Sequence, residues 1–138
     1  MGYTGAVARD EEGSFLAACR YKEKATSVAM IEAKAIWHGC MLGMTRGWNM
    51  IMVESDSLES ISCLKDITRK GSWEAFPVIA RCSTLGSGFQ DCRWSWAPRS
   101  ANVAADLLAS RVRRDALAFD AALSFCYLLA LPIPSTVR

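Results

Sequence analysis

The sequence lacks the patterns that mark several common protein classes. None of its six cysteines forms a CxxC pair and His38 is its one histidine, which argues against a zinc site. No window resembles a signal peptide, and Gly, Arg or Asp interrupts every apolar run before it could span a membrane. We therefore expect an intracellular protein, of the nucleus or cytoplasm, with reduced cysteines that pack mostly in the core. The net charge of +2 is too small to identify a nucleic-acid partner.

The composition indicates one globular domain. The chain has 138 residues, of which 51% are hydrophobic, so it can bury a core and is not expected to be disordered. The predicted elements, in chain order, are a hairpin over 3–21, a helix over 27–45, a strand over 50–55, a short helix from 58, a helix from 77, a strand over 91–97 and a helix from 101 or 102. This alternation predicts an α/β domain over residues 1–122, and two prolines near the end predict an irregular tail over 123–138.

Asp56 is the best single candidate for a chemical role. It follows the strand Met50–Ser55, whose continuously apolar start predicts burial on both faces. Ligands gather at the carboxyl ends of such strands. The alternative is that Asp56 only caps the next helix, because Asp56 and Glu59 have the spacing of a capping box.

Glu32 is the second candidate. It shares one face of the first long helix with Ile36, Gly39 and Gly43, and glycines on a helix face favour close packing against a sheet. A carboxylate on that face is costly to bury unless something pairs with it. The alternative is a Glu32 side chain tilted out to solvent.

Asp106, in the first turns of the last predicted helix, completes the set. Elements placed side by side on one sheet would bring Glu32, Asp56 and Asp106 to one rim. Converging carboxylates repel one another, so such a cluster implies a bound divalent cation. Oxygen ligands favour Mg²⁺ or Mn²⁺, and two such ions about 4 Å apart can clamp the attacking water and the leaving oxygen of a phosphodiester.

Four stretches, in their order and separation, resemble a known family. They are residues 5–13 (GAVARDEEG), 31–35 (IEAKA), 53–57 (VESDS) and 97–106 (APRSANVAAD). The sequence is similar to the ribonuclease H-like domains of plant retroelements, often grouped as reverse-transcriptase-like. The resemblance implies a five-stranded mixed sheet flanked by helices and metal-dependent hydrolysis of the RNA strand of RNA–DNA hybrids. It also implies that Glu32, Asp56 and Asp106 are three of four metal-binding carboxylates.

Arg99 and Asn102 match the family's loop before the last helix. Their implied role is to position that loop or to touch the substrate backbone, and a purely structural role in the loop is an equal alternative. Trp96, just before this loop, departs from the family, since many relatives have a histidine near this position.

A larger departure lies at the N-terminus. Relatives have a strand before the hairpin that holds the first catalytic Asp and lies between the hairpin and the strand equivalent to 50–55. Here the sequence begins at the hairpin, no Asp precedes residue 10, and Asp10 belongs to the turn. We therefore expect a sheet without its central strand, in which residues 3–9 pair directly with 50–55 or leave a loosely filled gap. Exposed edges would then invite self-association.

Three functions remain open from the sequence. The leading hypothesis is a ribonuclease H-like nuclease acting on RNA–DNA hybrids. The alternative is a catalytically impaired, retroelement-derived domain that only binds nucleic acid or protein, and the third is a decayed fragment without function.

Overall fold

The computed structural model of the protein describes residues 2–24, 27–68, 71, 74–98 and 122–132. Its elements are β1 (Gly2–Asp10), β2 (Phe15–Glu23), α1 (Val28–Thr45), β3 (Met50–Ser55), α2 (Leu58–Lys65), α3 (Phe76–Ser87), β4 (Asp91–Trp96) and β5 (Ala122–Ala130). The five strands form one mixed sheet with helices packed against it, which confirms the predicted α/β class. No helix within the described ranges is both long and apolar enough to cross a membrane.

The predicted hairpin, β1–β2, closes through a turn that contains Asp10 and Gly13. Gly13 has φ of 84°, a conformation that favours glycine. Asp10 Oδ1 accepts hydrogen bonds from the backbone N–H groups of Glu12 and Ser14, both at 2.9 Å. Asp10 thus stabilises the turn, as expected of a short acidic side chain there.

Helix α1 matches the prediction at both ends. Ser27 is the N-cap, and its Oγ accepts a hydrogen bond from Met30 N at 3.2 Å. Gly47, just beyond the last turn, has φ of 72°. A Cβ added to Gly39 would lie 2.7 Å from Cys126 Sγ, and one added to Gly43 would lie 3.2 Å from Phe89 Cζ. The two glycines therefore allow the close approach to the sheet that the sequence predicted.

The sheet order is β2-β1-β5-β3-β4, so the last strand of the chain lies in the middle. β5 runs parallel to β1, with Gly5 opposite Phe125, and antiparallel to β3, with Val53 opposite Leu128. The expectation of direct β1–β3 pairing or of a loosely filled gap is therefore wrong. The predicted tail over 123–138 is also wrong for residues 123–130, which belong to β5. Pro132 lies two residues beyond β5 and does not interrupt the strand. The prolines therefore affect the chain only after Ala130, and not from residue 123 as expected.

Side chains on both faces fit β5 to this position. A Cβ added to Gly5 would lie 2.5 Å from Phe125 Cε1, so the ring occupies the space that Gly5 leaves open. On the helix-facing side, Cys126 and Leu128 are buried in the main core cluster with Ile36 of α1. β5 is therefore an integral part of the core.

The cysteines behave as predicted. All six are free, and four are buried: Cys40, Cys63, Cys82 and Cys126. Burial raises the pKa of the Cys82 and Cys92 thiols to about 12, and it raises the pKa of Cys40 well above its ordinary value. These groups stay protonated at neutral pH, which leaves them unreactive and poorly suited to bind metal.

Candidate active site at the end of β3

Asp56 lies immediately after β3 and is half-buried. The N-cap of α2 is the next residue, Ser57, whose Oγ accepts a hydrogen bond from Ser60 N at 3.3 Å. The alternative that Asp56 only caps this helix is therefore wrong. Within the described residues, no hydrogen bond or ion pair involves the Asp56 carboxylate.

The main chain around Asp56 is held from two sides. Ser57 N donates to Ser55 Oγ at 3.1 Å, and the indole Nε1 of Trp96 donates to the Asp56 carbonyl at 3.2 Å. Ala97 N adds a hydrogen bond to the Ser55 carbonyl at 3.1 Å. These contacts fix the backbone from which the Asp56 carboxylate projects.

Glu32 lies in the second turn of α1 and is half-buried, which is intermediate between the two alternatives stated above. Gly43 packs near Ile51 at the start of β3, whereas Gly39 packs on Cys126 of β5. The C-terminal part of α1 therefore lies at the start of β3, and the N-terminal part of α1 lies toward the end of β3. Glu32 precedes Gly39 by two helical turns, about 10 Å, so it lies toward the same end of the sheet as Asp56.

Three small hydroxyl residues lie on the helix-facing side of the central strands toward this end. Thr4 of β1 is opposite Ser124 of β5, and Ser55 is the last residue of β3. All three are buried, and the Thr4 hydroxyl has no hydrogen-bond partner among the described residues. An unsatisfied buried hydroxyl costs about 1–3 kcal/mol, so the sheet here tolerates polar groups in place of hydrocarbon.

Three predicted site residues, Asp106, Arg99 and Asn102, lie outside the described residues. Within the described ranges, no three His, Cys, Asp or Glu side chains are placed to hold a metal ion. The two described carboxylates, Glu32 and Asp56, supply the oxygen donors that hard divalent cations take. The complete cluster, which needs Asp106, stays a prediction.

A contact between the buried His38 of α1 and Glu23, which the sequence did not predict, joins the helix to the edge of the sheet. His38 is only 5% exposed, and its Nε2 is 2.6 Å from Glu23 Oε1 of the edge strand β2. Its ring stacks on Tyr21 with centroids 4.0 Å apart, and Lys34 Nζ contacts Glu23 Oε2 at 3.3 Å. The i, i+4 spacing of Lys34 and His38 was the available signal. The contacts hold α1, which contains Glu32, against the sheet.

The pKa values of this pair shift in the same direction for different reasons. Burial lowers the pKa of His38, which outweighs the opposing effect of the Glu23 carboxylate. Burial alone would raise the pKa of Glu23, but the hydrogen bond with His38 and the Lys34 ammonium bring it below its ordinary value. At neutral pH the imidazole is therefore neutral, and Nε2 must hold the proton because a carboxylate can only accept.

Comparison with known proteins agrees with this fold. The chain is similar to RNase H1 from the halophilic archaeon Halobacterium salinarum, with 21% identity, a TM-score of 0.69, and coverage of 83% of this chain and 96% of that one. It is also similar to the N-terminal RNase H domain of a Mycobacterium tuberculosis protein, solved as a fusion with maltose-binding protein. That match has 17% identity, a TM-score of 0.67, and coverage of 87% of this chain and 96% of that one. At such identities the likeness establishes the fold alone.

Sequence comparison gives the family. No curated protein sequence matches the chain significantly. The model of the reverse transcriptase-like family matches residues 1–112, a range that includes Glu32, Asp56 and Asp106. Because this match spans most of the sequence, the chain belongs to the reverse transcriptase-like family, with a ribonuclease H-like fold.

Proposed function

We propose that this domain binds RNA–DNA hybrids and that its active site is built to hydrolyse the RNA strand with Mg²⁺ or Mn²⁺. Glu32, Asp56 and Asp106 are the proposed catalytic and metal-binding residues. The observation that carries the proposal is the state of Asp56. It lies at the carboxyl end of a buried strand, its backbone is fixed, and Ser57 supplies the helix cap in its place.

Each proposed residue has a distinct task. Glu32, near the start of α1, and Asp56, just after the end of β3, lie toward the same end of the sheet, and Asp106 would add a third carboxylate from the segment after β4. Arg99 and Asn102 would position that segment or contact the substrate backbone. A bound divalent cation would supply the activated water and would stabilise charge on the phosphate.

The central strand favours weak catalysis. In relatives, the central strand of the sheet holds a fourth catalytic carboxylate. Here the central strand is β5 (ALSFCYLLA), which contains neither Asp nor Glu. Two-metal chemistry needs ligands on both sides of the reacting phosphate. Without the fourth carboxylate, the second metal ion should therefore bind most weakly. This observation keeps a second function in view, a domain that binds nucleic acid without cleaving it.

A cleavage assay tests the proposal. Purified wild type, Asp56→Asn and a control, Asp91→Asn, would be given an RNA–DNA hybrid with Mg²⁺ or Mn²⁺, and metal binding would be titrated in parallel. Asp91 is the matched control because it lies at the start of β4, opposite Met50, at the other end of the sheet. We expect weak or undetectable cleavage by the wild type, with hybrid binding retained.

Asp56→Asn should reduce any remaining activity and weaken metal binding, and Asp91→Asn should do neither. Asp56→Asn should cost little stability, because Ser57 makes the cap and one repelling carboxylate charge is removed. Robust cleavage that Asp56→Asn leaves unchanged would rule out the site. Robust cleavage that it abolishes would mean that another residue replaces the fourth carboxylate.

The resemblance also supports narrower proposals. We infer a plant retroelement origin and a place of action in the nucleus or cytoplasm. The strands β2 and β4 form the two edges of the sheet, and pairing through these edges is the proposed route of self-association.

A further inference from the structure

Trp96 is a large apolar side chain left in solvent beside the candidate site. It is the last residue of β4, opposite Ser55, and it is 43% exposed. Its indole Nε1 donates to the Asp56 carbonyl at 3.2 Å, so the ring is held at one point and does not swing freely. An anchored, exposed indole that contacts the main chain of a candidate catalytic residue needs an explanation beyond packing.

The neighbouring residues of β4 show that packing alone does not account for this indole. Cys92 and Trp94 share the side of β4 on which Trp96 lies, and both pack against the main core. A Cβ added to Gly86 of α3 would lie 2.6 Å from the Trp94 ring, which shows how closely that indole is covered. Trp96, two residues further on, is 43% exposed and so is not covered in this way.

A second exposed apolar side chain lies close to Asp56 in the sequence. Leu58, two residues after Asp56 at the start of α2, is 59% exposed. Exposed apolar side chains are thus present at the end of β4 and two residues after Asp56. An exposed aromatic ring can stack on the face of any nucleobase. Such a ring near a residue that is proposed to act on a phosphate is well placed to bind a base of the same polynucleotide.

We propose that the Trp96 indole is a stacking surface for a nucleobase of the polynucleotide whose phosphate lies at Asp56. This inference rests on the proposed function and adds a binding residue to it. The hydrogen bond to the Asp56 carbonyl holds the stacking ring beside that residue. Base–aromatic stacking changes affinity by about 5- to 150-fold when the aromatic side chain is removed.

The experiment measures binding without cleavage. Wild type, Trp96→Leu and Trp96→Phe would be titrated into a short fluorescein-labelled RNA–DNA hybrid with Ca²⁺ in place of Mg²⁺, and anisotropy would report affinity. Phe15→Leu is the matched control, because Phe15 is 52% exposed but lies opposite Arg9, near the hairpin turn at the other end of the sheet. Circular dichroism and thermal unfolding would show that all variants are folded.

We expect Trp96→Leu to weaken hybrid binding about 10-fold, Trp96→Phe to stay within about 3-fold of wild type, and Phe15→Leu to have no effect. The Phe variant keeps a ring but loses the indole N–H. An equal loss in Trp96→Phe and Trp96→Leu would assign the effect to the hydrogen bond with Asp56 and overturn the stacking inference. Unchanged affinity in Trp96→Leu would overturn it while leaving the proposed function intact, and absence of hybrid binding by the wild type would overturn both.

Discussion

The contact between Gly5 and Phe125 gives a direct test of the central strand. Gly5 lies on β1 opposite Phe125 on β5, and a Cβ added to Gly5 would lie 2.5 and 2.6 Å from two ring carbons of Phe125. Ordinary carbon–carbon contacts are about 3.5–4.0 Å, so Gly5→Ala would force the ring to move by about 1 Å. The ring is buried and lies near Tyr127, with centroids 6.5 Å apart, which limits that movement.

Whether Gly5→Ala stabilises or destabilises the protein depends on the side chain at position 125. Gly→Ala within a strand usually stabilises by about 0.5–1 kcal/mol, because alanine loses less backbone entropy on folding. Overpacking a buried ring costs about 1–3 kcal/mol, so Gly5→Ala should be destabilising overall in the wild type. In a Phe125→Leu background the shorter side chain leaves room for the new methyl group. The same substitution should then be neutral or stabilising.

The assay is a double-mutant cycle in urea, followed by circular dichroism, with the free energy of unfolding taken from each transition. We expect a coupling free energy of about 1–3 kcal/mol between Gly5→Ala and Phe125→Leu. If Gly5→Ala changed stability by the same amount in both backgrounds, Phe125 would not lie against Gly5. The assignment of β5 to the position beside β1 would then be refuted.

Two further measurements test the core and the buried histidine. Leu128→Ala should lower the free energy of unfolding by about 2–5 kcal/mol, because Leu128 lies in the central strand and is 2% exposed. The control Leu58→Ala, at an exposed position of α2, should change it by less than about 0.5 kcal/mol. If urea unfolding gave equally small effects for both variants, the fold would be contradicted. Stability should also fall as the pH drops below about 6.5 and again below about 4.5, since the lowered pKa values of His38 and Glu23 mean that the unfolded chain binds more protons in those ranges. In His38→Gln the first of these two losses should be smaller, and an unchanged pH profile of unfolding would argue against the buried neutral imidazole.

Local chemistry in the sequence was enough to predict most elements. The apolar run from Met50, the cap at Ser27 and the glycine at position 47 each determine an element or its end through interactions within a few residues. The family resemblance likewise rests on short stretches that hold their order along the chain. Local signals of this kind do not depend on which strands pair in the sheet.

The candidate site was predicted less completely. The sequence identified Asp56, but Asp56 and Ser57 are both good caps by type, and only the hydrogen bond from Ser60 N to Ser57 Oγ decides between them. The Glu23–His38 contact joins residues 15 positions apart on different elements. Such pairing depends on where α1 lies on the sheet, which periodicity does not reveal.

The sequence by itself determined an α/β domain, its hairpin and its first three helices, and the family resemblance indicated the position in the sheet where a further strand belongs. Only the tertiary structure decided that residues 122–130 fill that position. β1 and β3 run in opposite directions, since β5 is parallel to one and antiparallel to the other. A strand of either direction would therefore form one parallel and one antiparallel ladder there, and backbone hydrogen bonding sets no preference. The choice is made by side chains distant in the sequence, by Phe125 in the space above Gly5 and by Cys126 beneath Gly39.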